Sequence, residues 1–204
     1  NEAINVYFNN NFWGRSIAAC SSSNDESCYE NFGPYLNGVK LLDYNNIDEL
    51  EDYLKKTPNV VSVMLEPIQG EGGIIIPDAG YLKKVENLCK KYNVLMIADE
   101  VQTGLGRTGK MLACDYEKVT PDILCLGKAL SGGVLPISAV LADKFVRSLD
   151  GVCLPSVLST YKVYFNSSPW SGSAPSHVNV ILPSEDLETV EPEFGVFKSA
   201  GNGA

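Results

Sequence analysis

Two short apolar runs, residues 94–98 (VLMIA) and Ile123–Leu126 (ILCL), restrict the fold more than any other feature of this chain. Neither alternates polar with apolar residues, so each reads as a strand buried on both faces, the signature of a parallel sheet. The first run stops at the acidic pair Asp99-Glu100, the second at Gly127-Lys128. In an open α/β sheet, ligands collect beyond the carboxyl ends of the strands. Neighbouring parallel strands would bring a carboxylate and an amine to the same edge, an arrangement suited to holding a cofactor.

The surrounding chain repeats the pattern. Ile4–Phe8 and Val60–Leu65 read as further strands, residues 137–141 as another, and residues 178–182 could form one more. Asn46 caps a helix with Ile47, Leu50, Tyr53 and Leu54 on one face, stopped by Pro58. Residues 79–92 form the clearest helix, with Leu82, Val85, Leu88, Cys89 and Tyr92 at helical spacing and lysines opposite. Strands alternating with helices and loops define an α/β fold. Residues 21–38 are polar and turn-rich, as in an ordered surface loop near a site. From residue 151 onward, Ser, Pro and Gly rise and charge thins. This last part is therefore expected to be poorly specified, with at least its end disordered.

Charge and cysteine usage exclude several classes. With 16 basic and 25 acidic residues the net charge is −9, and no basic cluster exceeds Lys90-Lys91, so nucleic acid is not an expected partner. The apolar runs are far too short to span a membrane. The six cysteines (Cys20, Cys28, Cys89, Cys114, Cys125, Cys153) form no CxxC pair. Three lie in or beside apolar segments, as reduced core thiols do, which favours a reducing compartment. The chain opens at Asn1 without a signal or transit segment and reads as a piece of something longer.

Other motifs are weaker. Residues 104–109 spell a literal G-x-G-x-x-G, but a dinucleotide site needs those glycines to turn straight from strand into helix. Here residues 99–103 intervene and no convincing amphipathic helix comes after. The lone His177 and scattered cysteines make no metal site. Phe12-Trp13-Gly14-Arg15 could stack a flat ligand and clamp a carboxylate.

Four segments occur in a telling order: NFWGR (11–15), LEPIQGEGG (65–73), IADEVQTGLGRTGK (97–110) and LGKALSGG (126–133). Together they resemble the class III, pyridoxal-phosphate-dependent aminotransferases over residues 5–147. Trp13 resembles the ornithine-using branch, since acetylornithine enzymes usually carry His there.

The resemblance implies a fold-type-I large domain over residues 1–147, mainly a parallel sheet flanked by helices and here incomplete, with pyridoxal 5'-phosphate as cofactor, and leaves residues 148–204 as a divergent, poorly specified C-terminal segment. It implies that Lys128 forms the Schiff base and shuttles a proton, while Asp99 pairs with the pyridine nitrogen. Gln102 would bond the ring's phenolic oxygen, and Phe12 would stack on the ring. Arg15 would bind the substrate α-carboxylate through a bidentate fork, leaving the distal amine to react. Trp13 would contribute to substrate choice. Glu71 would mask an arginine supplied later in a longer chain, and Glu66 would support the strand end. The implied reaction moves the δ-amino group of L-ornithine to 2-oxoglutarate in a homodimer, in the mitochondrial matrix or the cytoplasm.

The chain also departs from the family. The glycine-containing phosphate cradle and a substrate-side tyrosine are absent, and Ser159-Thr160-Tyr161 lacks the flanking glycines of the family's phosphate-binding threonine. Two alternatives stand beside the enzyme: a catalytically silent fragment acting through dimerisation, and a nucleotide-binding oxidoreductase using residues 104–109.

Overall fold

The computed structural model describes residues 3–142 together with the strands at 160–165 and 179–183. Its eight strands lie in one sheet: β1 (Ile4–Phe8), β2 (Val39–Leu42), β3 (Val60–Leu65), β4 (Leu95–Asp99), β5 (Ile123–Leu126), β6 (Ile137–Ala142), β7 (Thr160–Phe165) and β8 (Asn179–Pro183). The spatial order is β2-β1-β3-β4-β5-β6-β7-β8. Strands β2 to β5 run parallel along this order, and β6, β7 and β8 are each antiparallel to the strand before. The expected mainly parallel sheet is present, with an antiparallel extension from β6 onward.

Two short helices come after β1, α1 (Ile17–Ser21) and α2 (Glu26–Tyr29). Helix α3 (Ile47–Lys56) begins where Asn46 Oδ1 accepts the Glu49 N–H at 3.2 Å, and acids in its first turn with lysines in its last suit the helix dipole. Helix α4 (Tyr81–Tyr92) buries Leu82, Val85, Leu88 and Cys89. It ends at Asn93 in the left-handed region, the αL stop that Asn tolerates. The two helices touch, and the Lys91 ammonium reaches Glu51 on α3 at 2.7 Å. Their apolar stripes close over Val6, Phe8, Val63, Leu65, Met96 and Ala98 to make the core.

Burial on both faces, expected of β4 and β5, is only partial. Met96 and Ala98 are buried, whereas Leu95, Ile97 and residues 123–125 are half-buried. The described helices α3 and α4 supply cover where the core forms, and the remaining strand positions keep part of their surface.

One buried acid stands out in this apolar layer. Glu86 is 3% exposed on α4, bonded to the Lys83 ammonium, to Lys90 at 2.8 Å and to the Thr120 N–H at 3.3 Å. Burial works against its charge, but these partners outweigh it and hold the carboxyl below the usual range.

Candidate active site

Strands β4 and β5 are direct neighbours, with Asp99 opposite Cys125. Each ends at the same edge, so Asp99 and the segment Gly127-Lys128 emerge side by side. Lys128 opens a single 3₁₀ turn, Lys128–Ser131, with φ +45°, an uncommon left-handed conformation for a residue with a side chain. The chain then returns as β6, antiparallel to β5, with Leu126 opposite Ala139.

Asp99 is buried, and burial pushes its carboxyl above the usual range. The Val101 N–H, 3.0 Å from Oδ1, and the charge of Lys128 act the other way. Glu66, just past the end of β3, is also buried and raised, again mainly by burial, with Asp99 adding to the shift. Its Oε1 accepts the Phe12 N–H at 2.9 Å and its Oε2 the Gly70 N–H at 3.1 Å. Glu66 thus joins the loop after β1 to the loop after β3.

A cleft of about 450 Å³ opens here, its lining including Gln69, Gly70, Gln102, Arg107, Thr108 and Lys128. Glu71 contacts two of its lining residues: Glu71 Oε1 lies 3.6 Å from Lys128 Nζ and accepts from Gln102 Nε2 at 2.9 Å. Gln69 Oε1 and Thr108 Oγ1 are buried without a hydrogen-bond partner among the described residues.

The structure therefore gathers Asp99, Gln102, Glu71 and Lys128, with Glu66 beside them. The aromatic loop sits differently. Trp13 stacks on Tyr7 with centroids 5.5 Å apart, and its indole N–H donates to Ser22 Oγ at 2.7 Å. Arg15 lies over the Phe12 ring at 5.8 Å. Phe12 is tied to Glu66 by its backbone N–H; of the residues expected at the site, Gln102 and Lys128 line the cleft, while Asp99, Glu66, Glu71, Phe12, Trp13 and Arg15 are not among its lining residues.

Residues 104–109 form a loop closed on Met111, with Leu105 N–H donating to the Met111 carbonyl at 2.6 Å. The next element is one 3₁₀ turn, Ala113–Tyr116, so the strand-to-helix turn of a dinucleotide site is missing. Glu100, which carries no signal in the sequence, is 1% exposed beneath this loop. Among the described residues no group of His, Cys, Asp and Glu is arranged for a metal, and no helix is long and apolar enough to cross a membrane.

The profile of the family described as Aminotransferase class-III matches residues 2–162. The chain belongs to the class III aminotransferases. Within that family it is 62% identical over 143 residues to the mitochondrial ornithine aminotransferase of Drosophila melanogaster, covering 70% of this chain and 33% of the relative. It is 54% identical over 146 residues to the ornithine aminotransferase of Vigna aconitifolia, covering 72% and 34%. The solved ornithine aminotransferase of Toxoplasma gondii crystallised with oxidized glutathione, which carries PLP at partial occupancy in its active site, superposes with a TM-score of 0.70 at 54% identity, covering 72% of this chain and 34% of that one. This class III chain thus spans about a third of the length of the curated relatives it matches. Its sheet is the mainly parallel sheet of fold type I, present in part.

Proposed function

We propose that this chain carries the cofactor-holding core of an ornithine δ-aminotransferase, which moves the δ-amino group of L-ornithine to 2-oxoglutarate and yields glutamate semialdehyde and glutamate. The observation that carries the reading is the emergence of Asp99 and Lys128 from adjacent parallel strands at one sheet edge, close enough for the Lys128 charge to act on the Asp99 carboxyl, with Lys128 lining the cleft.

The residues fit pyridoxal 5'-phosphate. Asp99 is a buried carboxylate with one backbone donor, and a cationic ring N–H would relieve the desolvation that raises it. Pyridoxal phosphate, when bound, supplies an aldehyde for covalent capture and a ring that takes up electrons. Lys128 Nζ would make the covalent attachment and carry the proton to and from the substrate carbon. Asp99 would keep the ring nitrogen protonated. Gln102, on the same wall, would bond the ring's phenolic oxygen. Glu66 holds the Phe12 segment by its backbone, which supports Phe12 as the ring's stacking partner. Arg15 is exposed and lies over the Phe12 ring, its charge also acting on Asp25, and its planar fork suits a clamp for the substrate α-carboxylate. Trp13 and Glu71 would limit which amino donor enters.

A homodimer belongs to this reading, supported by Ile74 and Val134, large apolar side chains 84% and 81% exposed. Relatives named with and without a mitochondrial location support the mitochondrial matrix or the cytoplasm. Because the chain spans about a third of those relatives, a second reading is favoured for it in isolation: capture of the cofactor with little turnover.

Adding pyridoxal phosphate, trapping with borohydride and mapping the modified peptide tests the proposal. Label on Lys128, lost in Lys128→Ala, is expected. Label spread over surface lysines such as Lys56 and Lys90 would sink it.

A further inference from the structure

The glycine-rich loop at 104–109 forms part of the cleft wall through Arg107 and Thr108, with Thr103 just before it also lining the cleft. The anchor lies beneath it. Glu100 directly follows Asp99, and its side chain is sealed from solvent, 1% exposed. Its Oε1 accepts the Cys114 N–H at 2.8 Å, and its Oε2 accepts the Ala113 N–H at 2.9 Å and the Thr103 hydroxyl at 2.5 Å. Both ends of the loop, Thr103 before it and Ala113-Cys114 after it, are bonded to one carboxylate.

The backbone of the same residue continues the tie. Glu100 N–H donates to the Cys125 carbonyl on β5 at 2.9 Å, and the Glu100 carbonyl accepts the Gly104 N–H at 2.8 Å. One residue therefore connects the strand leading to Lys128 with the loop that faces it across the cleft. Gly104 permits this closeness: a Cβ there would meet the Glu100 carbonyl oxygen at 2.8 Å and Leu126 Cδ2 at 3.1 Å. The first glycine of the motif serves packing on Glu100, a demand unrelated to a dinucleotide.

We propose that Glu100 is a positioning residue: its buried carboxylate locks the 103–114 loop at a fixed distance from Lys128 and so sets the shape of the cofactor cleft. It touches neither cofactor nor substrate and acts through Gln102, Thr103, Arg107 and Thr108. The choice of pyridoxal phosphate as probe rests on the proposed aminotransferase function; the lock itself does not.

The test uses the full 204-residue chain. Glu100→Gln replaces one acceptor oxygen by an NH₂ that faces a donor, so the loop must shift. Pyridoxal phosphate is expected to bind about tenfold more weakly, at a temperature where circular dichroism shows the variant folded. Glu86→Gln is the control. It removes charge from another buried carboxylate, one tied to α4 and Thr120, and should lower stability while leaving affinity unchanged. Should Glu100→Gln fail to fold, Thr103→Ala removes the hydroxyl donor together with one methyl and is expected to weaken binding in the same direction by less.

Amide exchange without any added cofactor gives an independent reading. Glu100→Gln, or Thr103→Ala in its place, should speed exchange within residues 103–114 and leave α3 and α4 protected. Equal loss of affinity in Glu86→Gln, or unchanged affinity in both loop variants, overturns the lock. If the unaltered chain captures no pyridoxal phosphate, the functional reading fails, and exchange alone then decides: unchanged rates within 103–114 overturn the lock as well.

Discussion

Glu71 Oε1 lies 3.6 Å from Lys128 Nζ while accepting a 2.9 Å hydrogen bond from Gln102. A carboxylate from the loop after β3, an amide from the loop after β4 and an amine from the turn after β5 thus meet at one point. Both charged side chains are about half exposed, at 53% and 52%, so water screens the pair strongly.

Glu71→Gln should therefore cost little stability, about 0.5 kcal/mol or less. Urea denaturation measures it, and a loss several times larger would mean the pair is far better shielded than its exposure indicates.

Gly70→Ala should disturb the same meeting point by another route. A Cβ at Gly70 would stand 2.8 Å from the Gln102 amide carbon and oxygen. Gln102 is a flexible side chain and can swing aside, so the fold should survive with a loss of about 1 kcal/mol. Its contact with Glu71 should not survive. Pyridoxal phosphate titration is expected to show affinity reduced by about tenfold, with only a small shift in the urea midpoint.

Glu86 predicts a pH signature. Its folded carboxyl titrates below the usual range, so its stabilisation is present above the unfolded value of about 4.3 and is lost as pH falls through the folded value. Glu86→Gln should be less stable than the unaltered chain by about 1–2 kcal/mol at pH 7, and the gap should close in acid. Denaturation curves across that window check the sign. A gap that widens on acidification would contradict it.

Leu50, fully buried on α3, tests the core. Leu50→Ala should destabilise by about 3 kcal/mol through lost burial and the cavity left behind. Thermal unfolding by circular dichroism measures it, and a loss below about 1 kcal/mol would mean α3 packs loosely on the sheet.

Strands β1, β3, β4 and β5 are legible in the sequence because each is a mainly apolar run, although the burial on both faces expected of β4 and β5 is only partial. Strand β2, VKLL, is too short and too interrupted by Lys40 to show a period. Strand β7, TYKVYF, is hidden inside a segment whose composition looks loop-like. The disordered end expected of that segment lies outside the described residues. Asp99 and Lys128 can be paired because both come after buried runs. Glu86 and Glu100 cannot be recognised by type, since an acid reads as solvated until its donors are located. One signal is available: residue 86 falls between Leu82 and Cys89 on the apolar stripe of α4, with Lys83 and Lys90 in reach. Glu100 owes its role to the amides of Ala113 and Cys114, whose approach depends on tertiary folding alone. Trp13 reads from sequence as a substrate contact. Its ring stacks on Tyr7 and its N–H is bound to Ser22, contacts that depend on the tertiary fold and are not legible in the sequence.

The hairpin that joins β5 to β6 has an architectural consequence. Its legs are held by direct ladder pairing, Ile123 with Ala142 through Leu126 with Ala139, while the tip carries Gly132 and Gly133 with no contact a side chain would disturb. Severing the backbone between those two glycines would leave Lys128 on one fragment and β6 on the other, still zipped together. A single cut there should thus leave the β5–β6 ladder intact, with Lys128 a few residues from the break.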